Sequence, residues 1–147
     1  MSSAEPRAAL LDADVFISYI SGDRLLPHSE KVVNQTLDGS LAASANSIVY
    51  DDIVTALRSK ETPLPRVIEF ITATASIPHT VIPVDAATTV NALRIYAKHG
   101  GPRKLHYFDS YHVANALRTH TPLITSDKYI IDNQTQLGIT AIDLRRY

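Results

Sequence analysis

The stretch LLDADVF, residues 10–16, gives the first indication of the fold, because it joins a short apolar run directly to a pair of carboxylates. The run Ala8–Leu11 shows no alternation of apolar and polar residues, which is typical of a strand covered on both faces of a sheet. A helix is predicted to follow at once, over Val15–Ile20, and to stop at Gly22. A buried strand that leads straight into a helix indicates an α/β protein.

The rest of the chain repeats this alternation of short apolar segments and helical patterns. Further strands are predicted at Leu41–Ser44, His79–Val84, Leu123–Thr125 and Ile139–Ile142. Helices are predicted to begin at Pro27, at Ser47, behind Pro65, after an N-cap at Asp85 and at Phe108, with a short turn or helix near Asp127–Asp132. Their apolar positions include Ile68, Val90 and Leu93. This order predicts a mostly parallel sheet with helices on both faces.

Composition limits the classes of protein that the chain can form. Its 147 residues, 45% of them hydrophobic, predict one domain over residues 1–147 with a real core. The formal charge of -1 gives no global basic field, and the absence of Cys excludes disulfides and zinc–thiolate sites. No apolar run approaches the roughly 18 residues that span a bilayer, and Met1–Arg7 is polar, so we expect a cytoplasmic protein without a membrane partner.

Two carboxylates follow short apolar strands. Asp12 ends the first predicted strand, and Asp127 comes just beyond the strand Leu123–Thr125 in the stretch LITSDK. In open parallel sheets, ligands bind at the carboxyl ends of the strands. We therefore expect Asp12 and Asp127 to face a ligand site.

Two further carboxylates lie on predicted helices. At about 100° per residue, Asp52 lies on the flank of the apolar face of its helix, whereas Asp51 points nearly the opposite way. Asp109 precedes Val113 by one turn and falls within the apolar face of its own helix. A carboxylate that faces a core needs a partner, because burying an isolated charge is too costly.

Taken alone, each of these four acids is better explained as a helix cap, a turn residue or a solvated flank residue. Taken together, they would gather four like charges at one edge of the sheet without enough nearby Lys or Arg to neutralise them. Hard divalent cations are the natural counterion for such a group. An all-oxygen ligand set without Cys favours Mg²⁺ or Mn²⁺ over zinc.

Four motifs in this order resemble the PIN domain family of metal-dependent ribonucleases, and in particular the VapC-like toxins of prokaryotic toxin–antitoxin pairs. The resemblance runs from Ala8 to Tyr147 and rests on LLDADVFISYI, SIVYDDIV, FDSYHVANAL and LITSDK, which supply Asp12, Asp52, Asp109 and Asp127. Asp52 stands where the family usually has Glu, and the adjacent Asp51 leaves this assignment open by one residue. Asp14 stands where Asn is usual, which makes it a further candidate ligand.

The resemblance implies a three-layer α/β/α fold with a five-stranded, mostly parallel sheet, in which the first strand lies beside the strand that leads to Asp127. It implies an endoribonuclease in which the four Asp residues are catalytic and hold one or two Mg²⁺ or Mn²⁺ ions. Asp109 or Asp127 would accept a proton from the attacking water, and Thr125 would support a ligand carboxylate. A protein antitoxin and a homodimer are the implied protein partners, and RNA is the implied substrate.

Basic residues near the motifs are candidates for phosphate contacts with RNA. Setting the four ligand candidates aside leaves 14 Lys and Arg against 11 of the 15 acidic residues, a net charge of +3. The candidates are Arg103, Lys104, Arg118 and Lys128, and an ordinary solvated surface explains them at least as well. A metal-free nuclease that uses His106 and His112 lacks support from the sequence. His112, beside an apolar face, is expected to be a packing residue.

Two other functions compete with the metal nuclease. LLDADVF also matches the Asp-x-Asp motif of haloacid-dehalogenase-like phosphatases, in which Asp12 would be the covalent nucleophile and Asp14 the acid/base. Only 22 residues follow Thr125, too few for that family's remaining motifs, and two of the four acids would have no role. The other alternative is a non-catalytic PIN-like module that binds RNA or protein, and the occupation of all four acidic positions argues against it.

Overall fold

The computed structural model describes residues 5–147, which form five strands, eight α-helices and a closing 3-10 turn at Leu144–Arg146. The strands are β1 Ala8–Leu11, β2 Ala42–Asn46, β3 Thr80–Ile82, β4 Leu123–Thr125 and β5 Ala141–Asp143. The helices are α1 Ala13–Ser21, α2 Leu26–Asp38, α3 Val49–Ser59, α4 Leu64–Ser76, α5 Ala86–His99, α6 Tyr107–Thr119, α7 Lys128–Asp132 and α8 Gln134–Leu137. The first four residues of the predicted domain, including most of the polar Met1–Arg7 segment, lie outside the described residues.

The sheet has the strand order β3-β2-β1-β4-β5, and all of its pairings are parallel. The prediction of a five-stranded parallel sheet is therefore confirmed, as is the place of β1 beside β4. In the register between these two strands, Leu10 pairs with Leu123 and Leu11 with Ile124. This register brings the segments that follow β1 and β4 to the same edge of the sheet.

The central strand β1 is buried on both faces, as its unbroken apolar run predicts. Ala9 and Leu11 pack into the apolar cluster that contains Phe16, whereas Leu10 packs into a second cluster with Leu123 on the opposite face. Leu10 and Leu11 are only 2% and 1% exposed. Burying a leucine side chain stabilises a fold by about 1.5–3 kcal/mol, so this strand anchors both layers of helices.

Local signals set most of the predicted element ends. Gly22 adopts the left-handed conformation with φ of 71° and ends α1, and the Asp85 carboxylate caps α5 by accepting a hydrogen bond from the Thr88 N–H at 2.8 Å. Helix α1 begins two residues earlier than predicted, because the Asp12 side chain accepts from the Ala13 N–H and caps it. β2 and β3 differ from prediction by a few residues, because pairing with neighbouring strands decides which residues of an apolar stretch become a strand.

The apolar spacing in α4 and α5 predicted the helices but not the faces that they bury. Ile68 is 60% exposed, and Val90 and Leu93 are 47% and 46% exposed. Helix α5 packs instead through Thr88 and Ala92. Both helices adjoin the edge strand β3 in the chain. Within the same range, no helix combines the length and the apolar character needed to cross a membrane.

Candidate metal centre

Five carboxylates meet at the carboxyl end of the sheet. Asp12 and Asp14 follow β1, Asp127 follows β4, Asp52 comes from α3 and Asp109 from α6. All five line one open cleft of about 190 Å³, together with His106 and Ser126. The structure therefore brings together every acidic residue that the sequence singled out as a candidate ligand.

The donor atoms in this cleft are close enough to share a cation. One side-chain atom from each of Asp12, Asp52, Asp109 and His112 lies within 4.8 Å of the others. A second group at the same spacing contains His106, Asp109 and Asp127. Asp109 belongs to both groups and is thus the central acid of the cleft.

Asp12 is held rigidly at the end of β1. Its Oδ1 accepts from the Ala13 N–H at 2.7 Å, and its Oδ2 accepts from the Thr125 hydroxyl at 2.6 Å. The same Thr125 oxygen accepts from the Asp127 N–H at 3.0 Å, so one hydroxyl links the first and fourth motifs. Asp127 also caps α7 by accepting from the Ile130 N–H at 3.0 Å.

Asp14 is buried with one oxygen paired and one unpaired. Its Oδ2 accepts from the Ser126 N–H at 2.6 Å and from the Ser126 hydroxyl, while its buried Oδ1 has no hydrogen-bond partner among the described residues. Burial and the adjacent Asp12 raise the pKa of Asp14 to about 8. Such a carboxyl holds a proton unless a positive charge is nearby.

Asp52 and Asp51 are separated clearly by their surroundings. The Asp52 Oδ2 lies 2.9 Å from the His112 Nε2, and the Asp52 side chain is 18% exposed. Asp51 is exposed to solvent and does not line the cleft. Of the two neighbours that the sequence left open, Asp52 is the one that faces the other carboxylates.

Asp109 has the least compensated charge in the cleft. It is buried, and the nearest basic atom is the Nδ1 of the exposed His106 at 3.6 Å. Burial, followed by the charges of Asp12, Asp127 and Asp52, raises the pKa of Asp109 well above its ordinary value. The surrounding carboxylates and the burial thus oppose ionisation of Asp109 unless a positive charge is nearby.

The expectation that His112 is only a packing residue is wrong. His112 is 2% exposed, and its Nε2 lies 2.9 Å from Asp52 and 3.5 Å from Asp12, while its Nδ1 lies 2.9 Å from the Asn46 side chain. Burial opposes the charged imidazole, but Asp12 and Asp52 outweigh it and raise the pKa of His112. One local signal points to this residue, since His112 follows Asp109 by one helical turn and shares its buried face.

The basic residues predicted to contact RNA have different surroundings. Arg118 donates to Asp85 at 3.2 Å and to Thr88 at 2.9 Å, at the beginning of α5. Lys128 pairs with Asp132 at 3.3 Å on the exposed side of α7. Arg103 and Lys104 lie exposed in the loop that leads into α6. Arg145, which the sequence analysis did not single out, donates to the Ser126 carbonyl at 3.0 Å beside the cleft.

The chemistry of this donor set fits a hard divalent cation. The cleft offers carboxylate oxygens, one of them buried and unpartnered on Asp14, and no sulfur ligand. Bringing such a charge into the cleft would also reverse the raised pKa values of Asp14 and Asp109, because a cation favours the ionised carboxylates.

Comparison with known proteins supports the α/β architecture described above. A family model described as PIN domain matches residues 9–134. No curated protein sequence matches the chain significantly.

Solved structures of toxin–antitoxin proteins share the fold. VapBC2 from Rickettsia felis, solved with a promoter DNA fragment, aligns with a TM-score of 0.64 and 13% identity over 92% of this chain and 98% of that chain. VapBC-1 from nontypeable Haemophilus influenzae aligns with a TM-score of 0.62 and 16% identity over 93% and 98%. A toxin–antitoxin complex from Klebsiella pneumoniae aligns with a TM-score of 0.53 and 14% identity over 83% of this chain and 89% of that chain. At these identities the likeness shows the fold alone.

Proposed function

The chain belongs to the PIN domain family, and on this premise we propose that it is a divalent-metal-dependent endoribonuclease that hydrolyses RNA phosphodiesters. One observation carries the proposal: carboxylates from four separate segments of the chain line one open cleft. Donor atoms of Asp12, Asp52 and Asp109 lie within 4.8 Å of one another, and Asp109 and Asp127 have donor atoms at the same spacing. Such a concentration of negative charge is unfavourable by itself, and a structural role does not require it. RNA is the substrate that membership of the family suggests.

The residues that would hold Mg²⁺ or Mn²⁺ are Asp12, Asp52, Asp109 and Asp127, with Asp14 as a further ligand. A divalent cation bound there would lower the pKa of a water molecule and offset negative charge on the phosphodiester. Thr125 and the Ala13 N–H keep both oxygens of Asp12 in place, so this ligand needs little reorganisation.

Asp109 is the best-placed carboxylate to accept the proton of the attacking water. Among the described residues its side chain accepts no hydrogen bond, and it lines the cleft, so its oxygens are free to face the water. The water oxygen then bonds to phosphorus as the bond from phosphorus to the leaving ribose oxygen breaks. A proton is returned to that ribose oxygen. Because water is the nucleophile, no protein nucleophile is required.

Exposed basic residues near the cleft would position the RNA backbone. Arg103 and Lys104 precede α6, and Lys128 follows Asp127 directly. Phosphate contacts of this kind orient a nucleic acid without reading its sequence. Arg118 and Lys128 are weaker candidates than Arg103 and Lys104, because they are already paired with Asp85 and Asp132.

A matched pair of substitutions tests the assignment. We expect Asp52→Asn to lower the rate of RNA cleavage in Mn²⁺ by about 10²-fold or more, because it removes a ligand charge, whereas the exposed neighbour Asp51→Asn keeps the wild-type rate. Chelation with EDTA is expected to stop cleavage by the wild type. Gel analysis of a mixed RNA pool measures cleavage by both variants and by the wild type with EDTA.

Results that differ from these expectations would exclude different parts of the proposal. Cleavage that survives EDTA and Asp52→Asn would overturn the metal nuclease. Loss of activity in Asp51→Asn but not in Asp52→Asn would overturn the choice of ligand. If the folded wild type cleaves no RNA, the non-catalytic module is favoured. The phosphatase alternative would leave Asp52 and Asp109 without a role, although both line the cleft with Asp12.

We further propose that the chain acts in the cytoplasm as the toxin of a type II toxin–antitoxin pair, as a homodimer bound by a protein antitoxin. The complexes among its structural neighbours support an antitoxin partner. Exposed apolar side chains on α4, β3, α5 and α6 support protein contacts: Leu64, Ile68, Val81, Val90, Leu93, Tyr96 and Tyr107. Apolar surface of this kind is typical of interaction sites.

The homodimer is tested by placing a charge among the exposed apolar side chains of α5. We expect the wild type to have the mass of a dimer in light scattering at micromolar concentration, and Leu93→Arg to shift the population toward the monomer, because a buried unpaired charge opposes association. Arg94→Ala, on the same helix, is the control. A concentration-independent monomer in the wild type would contradict the dimer.

A further inference from the structure

A chain of hydrogen bonds runs through the buried wall of the cleft. The Asn46 side chain lies 2.9 Å from the His112 Nδ1, and the His112 Nε2 lies 2.9 Å from the Asp52 Oδ2. Asn46 ends β2, His112 is on α6 and Asp52 is on α3. Asn46 and His112 are only 1% and 2% exposed, so water does not compete for these contacts.

The geometry places a proton on the His112 Nε2. When the Asn46 amide nitrogen faces Nδ1, it donates to that nitrogen, and the ring proton of a neutral His112 must lie on Nε2. When the Asn46 oxygen faces Nδ1 instead, Nδ1 donates, and an ionised Asp52, which can only accept, requires a proton on Nε2 as well, so the imidazole is then charged. In both arrangements His112 donates to Asp52 and has no lone pair on Nε2 to offer a metal.

Asp52 depends on this single donor. Among the described residues, its carboxylate has no other hydrogen-bond partner than His112. Asp12, in contrast, is held by the Ala13 N–H and the Thr125 hydroxyl. His112 also lies 3.5 Å from the Asp12 Oδ1, so its proton faces two of the carboxylates.

We propose that His112 and Asn46 are positioning residues, which orient Asp52 for cation binding through the Nε2–H of His112, and that His112 is not itself a ligand. This role rests on the proposed function, because it refines the cation site of that nuclease. Asn46 fixes the orientation of the imidazole, and the imidazole fixes the carboxylate.

Titration with Mn²⁺ by isothermal calorimetry tests the role without an activity readout. His112→Ala is expected to weaken Mn²⁺ binding by about 10- to 100-fold, the usual loss when a residue that orients a ligand is removed. His112→Gln keeps a side-chain N–H donor and is expected to recover most of that loss. Asn46→Ala is expected to bind Mn²⁺ more tightly than His112→Ala and more weakly than His112→Gln. His79→Gln is the matched control, since His79 is a half-buried histidine bonded through both nitrogens to Ile77 and Tyr50.

The outcomes separate this role from the alternatives. Equal losses of Mn²⁺ affinity in His112→Ala and His112→Gln would make His112 a ligand and overturn the proposal. Unchanged Mn²⁺ affinity in His112→Ala would also overturn it, because His112 would then contribute only to packing. A wild type that binds no Mn²⁺ would also overturn it. Binding of Mn²⁺ without RNA cleavage would overturn only the nuclease.

A spectroscopic measurement covers the case in which His112→Ala does not fold. In the metal-free wild type, ¹⁵N–¹H correlation spectra of the imidazole are expected to show a protonated Nε2 for His112. A spectrum with the proton on Nδ1 alone would overturn the proposal. The same spectrum recorded with a diamagnetic cation, Mg²⁺, should keep that proton, because Nε2 does not become a ligand.

Discussion

Asp109→Asn is expected to abolish RNA cleavage while making the metal-free protein more stable. The substitution removes the central acid of the cleft and, with it, about three orders of magnitude or more of the rate, because the carboxylate is both a ligand and the proposed proton acceptor. It also replaces a buried, poorly compensated carboxyl by a neutral amide of the same shape. Each kcal/mol gained raises the Tm of a chain of this size by about 2–4 °C, and a rise of several degrees is expected in EDTA.

The stabilising effect of Asp109→Asn depends on pH, in a direction set by the raised pKa of Asp109. Because the pKa of Asp109 is raised in the folded protein, its contribution to wild-type stability is complete at acid pH and is lost as the pH rises through the folded pKa. The stabilisation by Asp109→Asn should therefore be larger at pH 8 than at pH 5. Thermal unfolding in EDTA at both values measures it, with the exposed Asp51→Asn as the control. A destabilised Asp109→Asn at pH 8 would show that the carboxylate is compensated within the fold.

Saturating Mn²⁺ is expected to raise the Tm of the wild type by about 5–11 °C. A ligand that binds only the folded state at 100 times its Kd stabilises that state by about 2.7 kcal/mol, which corresponds to that range for a chain of this size. The physical cause is the removal of repulsion among carboxylates that the fold holds together. Differential scanning fluorimetry with and without EDTA measures the shift.

A pair of variants shows whether this shift comes from the cleft. Asp12→Asn should lose most of the Mn²⁺ stabilisation, because it removes a charge next to Asp14 and Asp109. Asp85→Ala removes a helix cap outside the cleft and should lower the Tm while leaving the Mn²⁺ shift intact. An equal shift in wild type and Asp12→Asn would place the bound Mn²⁺ elsewhere on the surface.

Local patterns in the sequence predicted the elements that build the site. The apolar run of β1 predicted a central strand, and the position of Asp12 and Asp127 after their strands predicted that both would reach one edge. The parallel pairing of Leu10 with Leu123 confirms the strand placement that this expectation needed. These features were predictable because each depends on a few neighbouring residues.

Features that depend on distant contacts were not predictable in the same way. His112 and Asp52 are 60 positions apart, and their hydrogen bond exists only because the fold brings residues of α3 and α6 to the same end of the sheet. Helical spacing indicated Val90 and Leu93 correctly as helix residues, yet the packing of α5 through Ala92 leaves both half exposed. Which face of a helix is buried depends on the neighbouring layer rather than on the helix itself.

The source of the oxygen that enters the cleaved phosphate tests the proposed attack by water. The cleavage reaction in Mn²⁺ is run in water enriched in ¹⁸O, and the product ends are analysed by mass spectrometry. Attack by water predicts terminal phosphates that each carry one ¹⁸O atom, with no cleavage in EDTA or by Asp109→Asn. Products that end in a 2′,3′-cyclic phosphate without ¹⁸O, formed equally in EDTA, would contradict the account and favour acid–base catalysis by histidine.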